Sequence, residues 1–436
     1  MRRIGHIVRE IRCEMNTQIA TDFCHILKEE LILAMGCTEP IALAYAAARM
    51  KNVLGTAPER IIARCSGNMI KNVRCVQIPN SQGMVGIEAA VALGALGGDA
   101  ARDMEVLESV DARAISTAAD FIRDGRCEVG YLESDIPLHF IVEGFCGQEH
   151  VLVEVTHSHM HIARIVKNGE TLQTDDGASP HETPADRSGL NLENIKSFAD
   201  EMPVEKLREI YAGVIERNMA IAREGMTGNW GLGIGPTLLQ SGGEGVQTRM
   251  KAWAAAGSEA RMAGCSLPVV INSGSGNQGI ASTVPVIVYC REMGLPEEKL
   301  LRGLAFSSLL TVFQKEYIGK LSAFCGAVSA TCAAGAAITY LENGTMAQIQ
   351  ATIKNTLADV PGIICDGAKI SCAAKIASAL DAALMAHRLA IAGKAYPAHS
   401  GILKTCADDT ISCVGHIGRV GMRQTDVEIV KLMLEK

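Results

Sequence analysis

The amino-acid sequence predicts an α+β protein, predominantly helical, in which a helical domain carries an inserted α+β domain with an antiparallel sheet. Three observations predict it. Between Cys127 and Gly169 apolar and polar residues alternate with period two, whereas the segments on either side repeat at helical spacing. Of 436 residues, 48% are hydrophobic and only 4% aromatic, which suits closely packed helices with small residues at their contacts. A polar stretch, Gln173–Gly189, rich in Asp, Ser, Pro and Thr, then separates the alternating region from a C-terminal half that scans as helix and glycine-rich loop.

In chain order, Thr17 to Met50 reads as helix interrupted by a loop at Gly36–Pro40, with Pro40 at the first position of the next helix. From Arg60 a strand leads into a Gly/Asn loop, followed by helices over Ile87–Leu96 and Asp111–Asp124. Segments Cys127–Leu132, Leu138–Cys146 and His150–Gly169 read as strands joined by short turns. His157, His159 and His161 alternate within the last of these, so on a strand they share one face, as a metal site or as ordinary surface. The expected organisation is 1–52 as N-terminal helices joining the C-terminal helical domain, 53–189 as the α+β domain and 190–436 as the helical domain.

A formal charge of -7 and the lack of a Lys/Arg run argue against a nucleic-acid partner. The N-terminus begins with basic residues, but Glu10, Arg12 and Glu14 interrupt any apolar core of a signal peptide. The expected compartment is therefore cytoplasmic and reducing, where cysteines more often serve metal or catalysis than disulfides. Most of the 15 cysteines are then small core hydrophobes. Met262–Cys290 and Leu321–Leu341 carry no charge. Their Asn, Gln, Ser and Gly content would be costly in lipid, so they read as interior segments and no membrane is expected.

The strongest local feature is an echo: Cys325 and Cys332, like Cys365 and Cys372, are separated by six residues and followed by Ala-Ala. If helical, each pair shares a face. Cys37, Cys325 and Cys365 each stand beside glycine near a turn, where a helix N-terminus favours thiolate, and they point to metal ligation. Cys332 and Cys372, inside Ala-rich runs, read as packing residues. No Cys-x-x-Cys pair is present, so zinc-ribbon and ferredoxin spacings are absent. Two loops offer donors for an anionic group: Ser66-Gly67-Asn68 through Lys71 and Asn72, and Ser273-Gly274-Ser275-Gly276-Asn277. The second is not a Walker motif, and the Gly231-Leu232-Gly233-Ile234-Gly235 stretch lacks a full dinucleotide fingerprint. His399 and His416 sit in glycine-flanked C-terminal segments and could act as acid or base.

GCTEP at Gly36–Pro40, SGNMIKN at Ser66–Asn72, SGSGNQGI at Ser273–Ile280 and GIICDGAK at Gly362–Lys369 together resemble the L-cysteine desulfidase family, which is related to the α-chain of iron–sulfur L-serine dehydratases. The resemblance covers most of the chain. It implies a lyase with an oxygen-labile [4Fe–4S] cluster held by three cysteines, by motif Cys37, Cys325 and Cys365. The related dehydratases draw a ligand from just beyond the position of Cys365; Cys372, at a shorter spacing, is the reserve. An open iron would act as Lewis acid while a protein base, Lys71 or His399, removes the α-proton of L-cysteine. The products are hydrogen sulfide, ammonia and pyruvate. The substrate is a small amino acid, with Ser66, Asn68, Asn72, Ser273, Ser275 and Asn277 as expected contacts. The alternatives are an L-serine or L-threonine dehydratase on the same scaffold, a pyridoxal-phosphate lyase using a lysine such as Lys315, and a redox-sensing cluster protein. The small-residue helices are compatible with a homodimer.

Overall fold

The computed structural model describes residues 17–175, 185–243, 245–319 and 322–434. The basic N-terminus and the centre of the Gln173–Gly189 segment lie outside the described residues.

α1 (Thr17–Glu30), β1 (Leu33–Met35) and α2 (Thr38–Leu54) open the chain. Pro40 falls in the first turn of α2, where its missing N–H is no loss. After β2 (Arg60–Cys65) come α3 (Gly67–Val73), α4 (Gly86–Gly97) and α5 (Ala112–Arg123). Then follow β3 (Cys127–Tyr131), β4 (His139–Cys146), β5 (Glu149–Thr156), β6 (Ile162–Lys167) and β7 (Glu170–Thr174).

These strands form a sheet in the order β3-β2-β4-β5-β6-β7. All its neighbours pair antiparallel except β2 and β3, which run parallel. The expected antiparallel sheet is therefore mixed. The reason is the crossover through α3, α4 and α5, which brings the chain back in the same direction, whereas hairpins reverse it. Alternation along the strands buries Ile61, Ala63, Phe140, Val142, Val151, Val153 and Val155. Against the sheet, α2 covers β4 and β5, and α4 covers β2 and β3.

Two further expectations change. The segment Ser66–Asn72 is not a loop but the cap and nearly the whole of α3, because the Ser66 hydroxyl accepts from the Met69 N–H and caps the helix. The three histidines do not lie on a strand either. β5 ends at Thr156 and β6 begins at Ile162, so they occupy the tight connection between them, with His157 at φ 64°.

The remaining elements are α6 (Leu192–Glu201), α7 (Val204–Gly225), α8 (Ile234–Gly242), α9 (Val246–Met262), β8 (Pro268–Val270), α10 (Gly276–Glu292), α11 (Glu297–Ile318) and α12 (Gly326–Leu341). They are followed by α13 (Met346–Asp359), α14 (Cys372–Ile391), α15 (Ala407–His416) and α16 (Arg423–Leu434). β8 pairs antiparallel with β1, stitching the N-terminal segment to this helical half. α1 packs on α6 and α11 of the same half. α10 is buried from Gly276 to Cys290 and α12 from Ala327 to Leu341, so the uncharged runs are interior. Small residues let α12 lie against α10, α11 and α14 at once. Among the described residues no helix is long and apolar enough to cross a membrane. The whole is α+β and predominantly helical.

Candidate active site at the meeting of four cysteine turns

Cys37 is the N-cap of α2 and Cys325 the N-cap of α12. Cys365 does not enter a helix as its spacing to Cys372 suggested. Residues 323–325 and 363–365 instead pair as two short extended segments. The Cys325 N–H donates to the Ile363 carbonyl at 3.0 Å and the Cys365 N–H to the Ala323 carbonyl at 2.7 Å. This pairing puts the Cys325 and Cys365 thiols in hydrogen-bonding contact. Cys372, the first residue of α14, packs with Cys37, Val76 and Met262 and acts electrostatically on Cys37, Cys325 and Cys365. The reserve ligand thus stands with the other three. Cys332 is different: it is buried within α12, its thiol pushed up to about 12 by burial.

Charge is distributed unevenly over this group. The hydrogen bond from Cys325 holds Cys365 below the ordinary thiol range, opposed by burial and helped by Lys71, the Gly367 N–H and Lys375. Cys325 is correspondingly raised, by the same hydrogen bond and by burial. Cys37 is raised well above a free thiol by burial and by Glu39, whose carboxylate lies 3.3 Å from its Sγ. Lys71 is 1% exposed and ion-paired with Asp426 of α16. Lys315 of α11 is also buried, and burial pulls it down to about 8 despite Cys365, Cys325 and Glu39 nearby.

The two donor segments are fastened to these turns. Gly367, at φ 98°, has no room for a side chain: a Cβ would stand 2.1 Å from the Lys71 carbonyl oxygen. That close approach docks α3 onto the Cys365 turn. On the other segment, the Thr38 hydroxyl donates to the Gly274 carbonyl at 3.0 Å. Buried Arg261 donates from Nε to the Gly36 carbonyl at 2.9 Å and from Nη1 to Asn277 Oδ1 at 3.1 Å. The Gln278 side chain lies against Gly326, next to Cys325.

The expected contact residues divide accordingly. Ser66 is occupied as a cap and as a donor to the Pro137 carbonyl at 2.6 Å. Ser273 donates to Asn272 Oδ1 at 2.8 Å, Ser275 is the N-cap of α10, and Asn277 Oδ1 also accepts from Ser258 at 3.1 Å. Asn72 is buried on α3. Among the described residues, the buried amide oxygens Asn68 Oδ1 and Gln278 Oε1 have no hydrogen-bond partner. Of the two expected bases, Lys71 joins the thiols. His399 is exposed after α14, at φ 65°, its N–H bonded to the Leu403 carbonyl at 2.9 Å. His416 closes α15 and is exposed. Arg261 escaped sequence reasoning as part of this site because it closes α9 with no local motif to mark it; Glu39 stood inside the GCTEP motif without a role, and Lys315 was named only for the pyridoxal-phosphate alternative.

Among the described residues no three His, Cys, Asp or Glu side chains surround a single ion position. One ion draws its thiolates to ~2.3 Å, whereas a cluster of several irons needs them spread around it. Four thiols on separate turns, flanked by Lys71, Lys315 and Lys375, suit the second kind of group: they supply soft ligands and offset their negative charge.

A sequence profile described as "Serine dehydratase alpha chain" matches residues 101–431. A UPF0597 protein of Lachnoclostridium phytofermentans is 45% identical over 94% of this chain and 98% of its own length. UPF0597 proteins of Desulfitobacterium hafniense, at 43% over 95% of this chain and 96% of theirs, and of Treponema denticola, at 41% over 95% and 97%, are similar throughout. The site is therefore set in a dehydratase-type lyase scaffold, and the chain belongs to the serine dehydratase α-chain family.

Proposed function

We propose that this protein is an L-cysteine desulfidase, eliminating the β-thiol of L-cysteine to give hydrogen sulfide, ammonia and pyruvate. The observation that carries the reading is the gathering of Cys37, Cys325, Cys365 and Cys372 with Lys71 and Lys315, beside the unpartnered amide oxygen of Gln278. Cys37, Cys325 and Cys365 would hold a [4Fe–4S] cluster, with Cys372 able to replace one of them. When bound, such a cluster supplies an open iron with Lewis acidity toward a carboxylate and a leaving group.

The chain's own residues do the rest. Asn68 Oδ1 and Gln278 Oε1 accept hydrogen bonds from the substrate ammonium, which satisfies two oxygens otherwise left buried and unpaired. Lys71, ion-paired with Asp426, offsets thiolate and carboxylate charge in this reading and leaves the base role to Lys315. Lys315, with its pKa near 8, carries a free amine in an appreciable fraction of molecules at neutral pH and takes the α-proton at its Nζ. The electron pair left on Cα forms the Cα=Cβ bond as the Cβ–S bond breaks. Aminoacrylate then tautomerises and hydrolyses.

The profile match favours a second reading, an L-serine or L-threonine dehydratase with the same residues in the same roles. Hydrosulfide leaves far more easily than hydroxide, which puts L-cysteine first. Pyruvate formed from L-cysteine and from L-serine by anaerobically reconstituted protein, measured side by side, tests the choice. A preference for L-serine transfers the protein to the dehydratase reading.

A further inference from the structure

Building on the lyase reading above, we propose that His159 is the proton donor to the departing β-substituent. The connection between β5 and β6 is built to hold this residue at its tip. The Thr156 N–H donates to the His161 carbonyl at 3.2 Å, and the His161 N–H to the Ser158 carbonyl at 3.2 Å. The His157 N–H donates to the Leu138 carbonyl at 2.9 Å, anchoring the turn to the sheet. The tip reaches from the α+β half onto the Ser273–Asn277 segment. There His159 Cε1 stands 3.6 Å from where a Cβ on Gly274 would be. Gly274, at φ 78°, presents its bare Cα to the ring while its carbonyl accepts from Thr38, the neighbour of Cys37.

The imidazole therefore arrives beside the Cys37 turn, on a different element from Lys315. Nε2 is buried, yet the residue as a whole is half-buried. A group that gives up a proton every turnover must reload from solvent, and a half-buried ring can do so. Histidine is also the side chain whose ordinary pKa allows it to give and take protons near neutrality. In the step assigned here, Lys315 takes the α-proton, the electron pair moves into Cα=Cβ, and the Cβ–S bond breaks with its pair on sulfur. The proton on the imidazolium passes to that hydrosulfide, giving hydrogen sulfide. Water then reprotonates the imidazole while Lys315 releases its proton.

A leaving group that needs no proton separates this role from a packing role. β-Chloro-L-alanine loses chloride, which departs unprotonated. In anaerobically reconstituted full-length protein, His159→Gln is expected to lower kcat for L-cysteine and L-serine about 100-fold while changing β-chloro-L-alanine turnover by less than about threefold. Imidazole added to His159→Ala is expected to restore L-serine turnover, with melting temperature and iron content as in the wild type. An equal fall on all three substrates, no fall on any, or no rescue by imidazole would overturn the assignment. A wild-type protein that forms pyruvate from none of the three would instead overturn the lyase reading beneath it.

Discussion

Replacing Lys315 with Met should make the metal-free protein more stable at neutral pH, although it should remove activity. Burial shifts the ammonium from its ordinary 10.5 to about 8. A shift of that size corresponds to ~3 kcal/mol of preference for the unfolded state while the lysine is charged. The sign follows from proton counts. Between pH 8 and about 10 the folded lysine has lost its proton and the unfolded one has not, so stability rises with pH across that window. Below pH 8 the full penalty is present. Methionine occupies a similar volume without charge, and Lys71 and Lys375 remain to balance Cys365. With an unfolding entropy of ~2.1 cal/mol/K per residue over 436 residues, ~3 kcal/mol becomes a rise of about 3 °C in Tm. Calorimetry of both proteins, reduced and metal-free, at pH 7 and at pH 10 measures it. The gain should be present at pH 7 and mostly gone at pH 10. A lower Tm for Lys315→Met at pH 7, or a gap independent of pH, would refute the claim that the site holds a strained charge for a purpose other than stability.

Iron retention should separate the cysteines: Cys325→Ala and Cys365→Ala lose iron after anaerobic reconstitution. Cys332→Ala keeps it, at a packing cost of about 1 kcal/mol read from denaturation. In the metal-free protein, iodoacetamide near neutral pH should label Cys365 before Cys37 or Cys325, because only Cys365 is lowered; peptide mass spectrometry reporting Cys37 first would contradict the charge pattern. Ser66→Ala should cost about 1 kcal/mol of stability as a lost helix cap. A large fall in substrate affinity with unchanged stability would instead return Ser66 to the substrate.

Much of the scaffold could be read directly because local rules decided it. The helix expected over Asp111–Asp124 is α5 with Asp111 as its cap, and the alternation in β5 follows its burial, whereas β4 is buried from Phe140 to Gly144 without alternating. The parallel β2–β3 pair could not be read, since strand order depends on where the helical crossover docks. The cysteines were legible by their glycine-flanked turns, but the Cys365–Cys372 spacing misled: seven residues mimic two helical turns until Gly367, at φ 98°, breaks the run. Arg261 was invisible as a site residue, and Lys315 was legible only as a lysine for a different cofactor. Each is one charge among several on its helix, and only tertiary packing brings it to thiols or to Asn277 some distance away in sequence. Likewise, the turn that carries His159 was hidden inside a stretch whose alternation looks strand-like from end to end.

The most direct test is an anaerobic reconstitution with iron and sulfide, followed by assay of pyruvate and hydrogen sulfide from L-cysteine before and after a chelator strips the metal. The account predicts roughly four irons and four acid-labile sulfides per chain, as a [4Fe–4S] cluster requires. It also predicts sulfide and pyruvate released in equal amounts, with both activities lost together with the iron. Pyruvate release from L-cysteine that continues undiminished once the iron is demonstrably gone would contradict it.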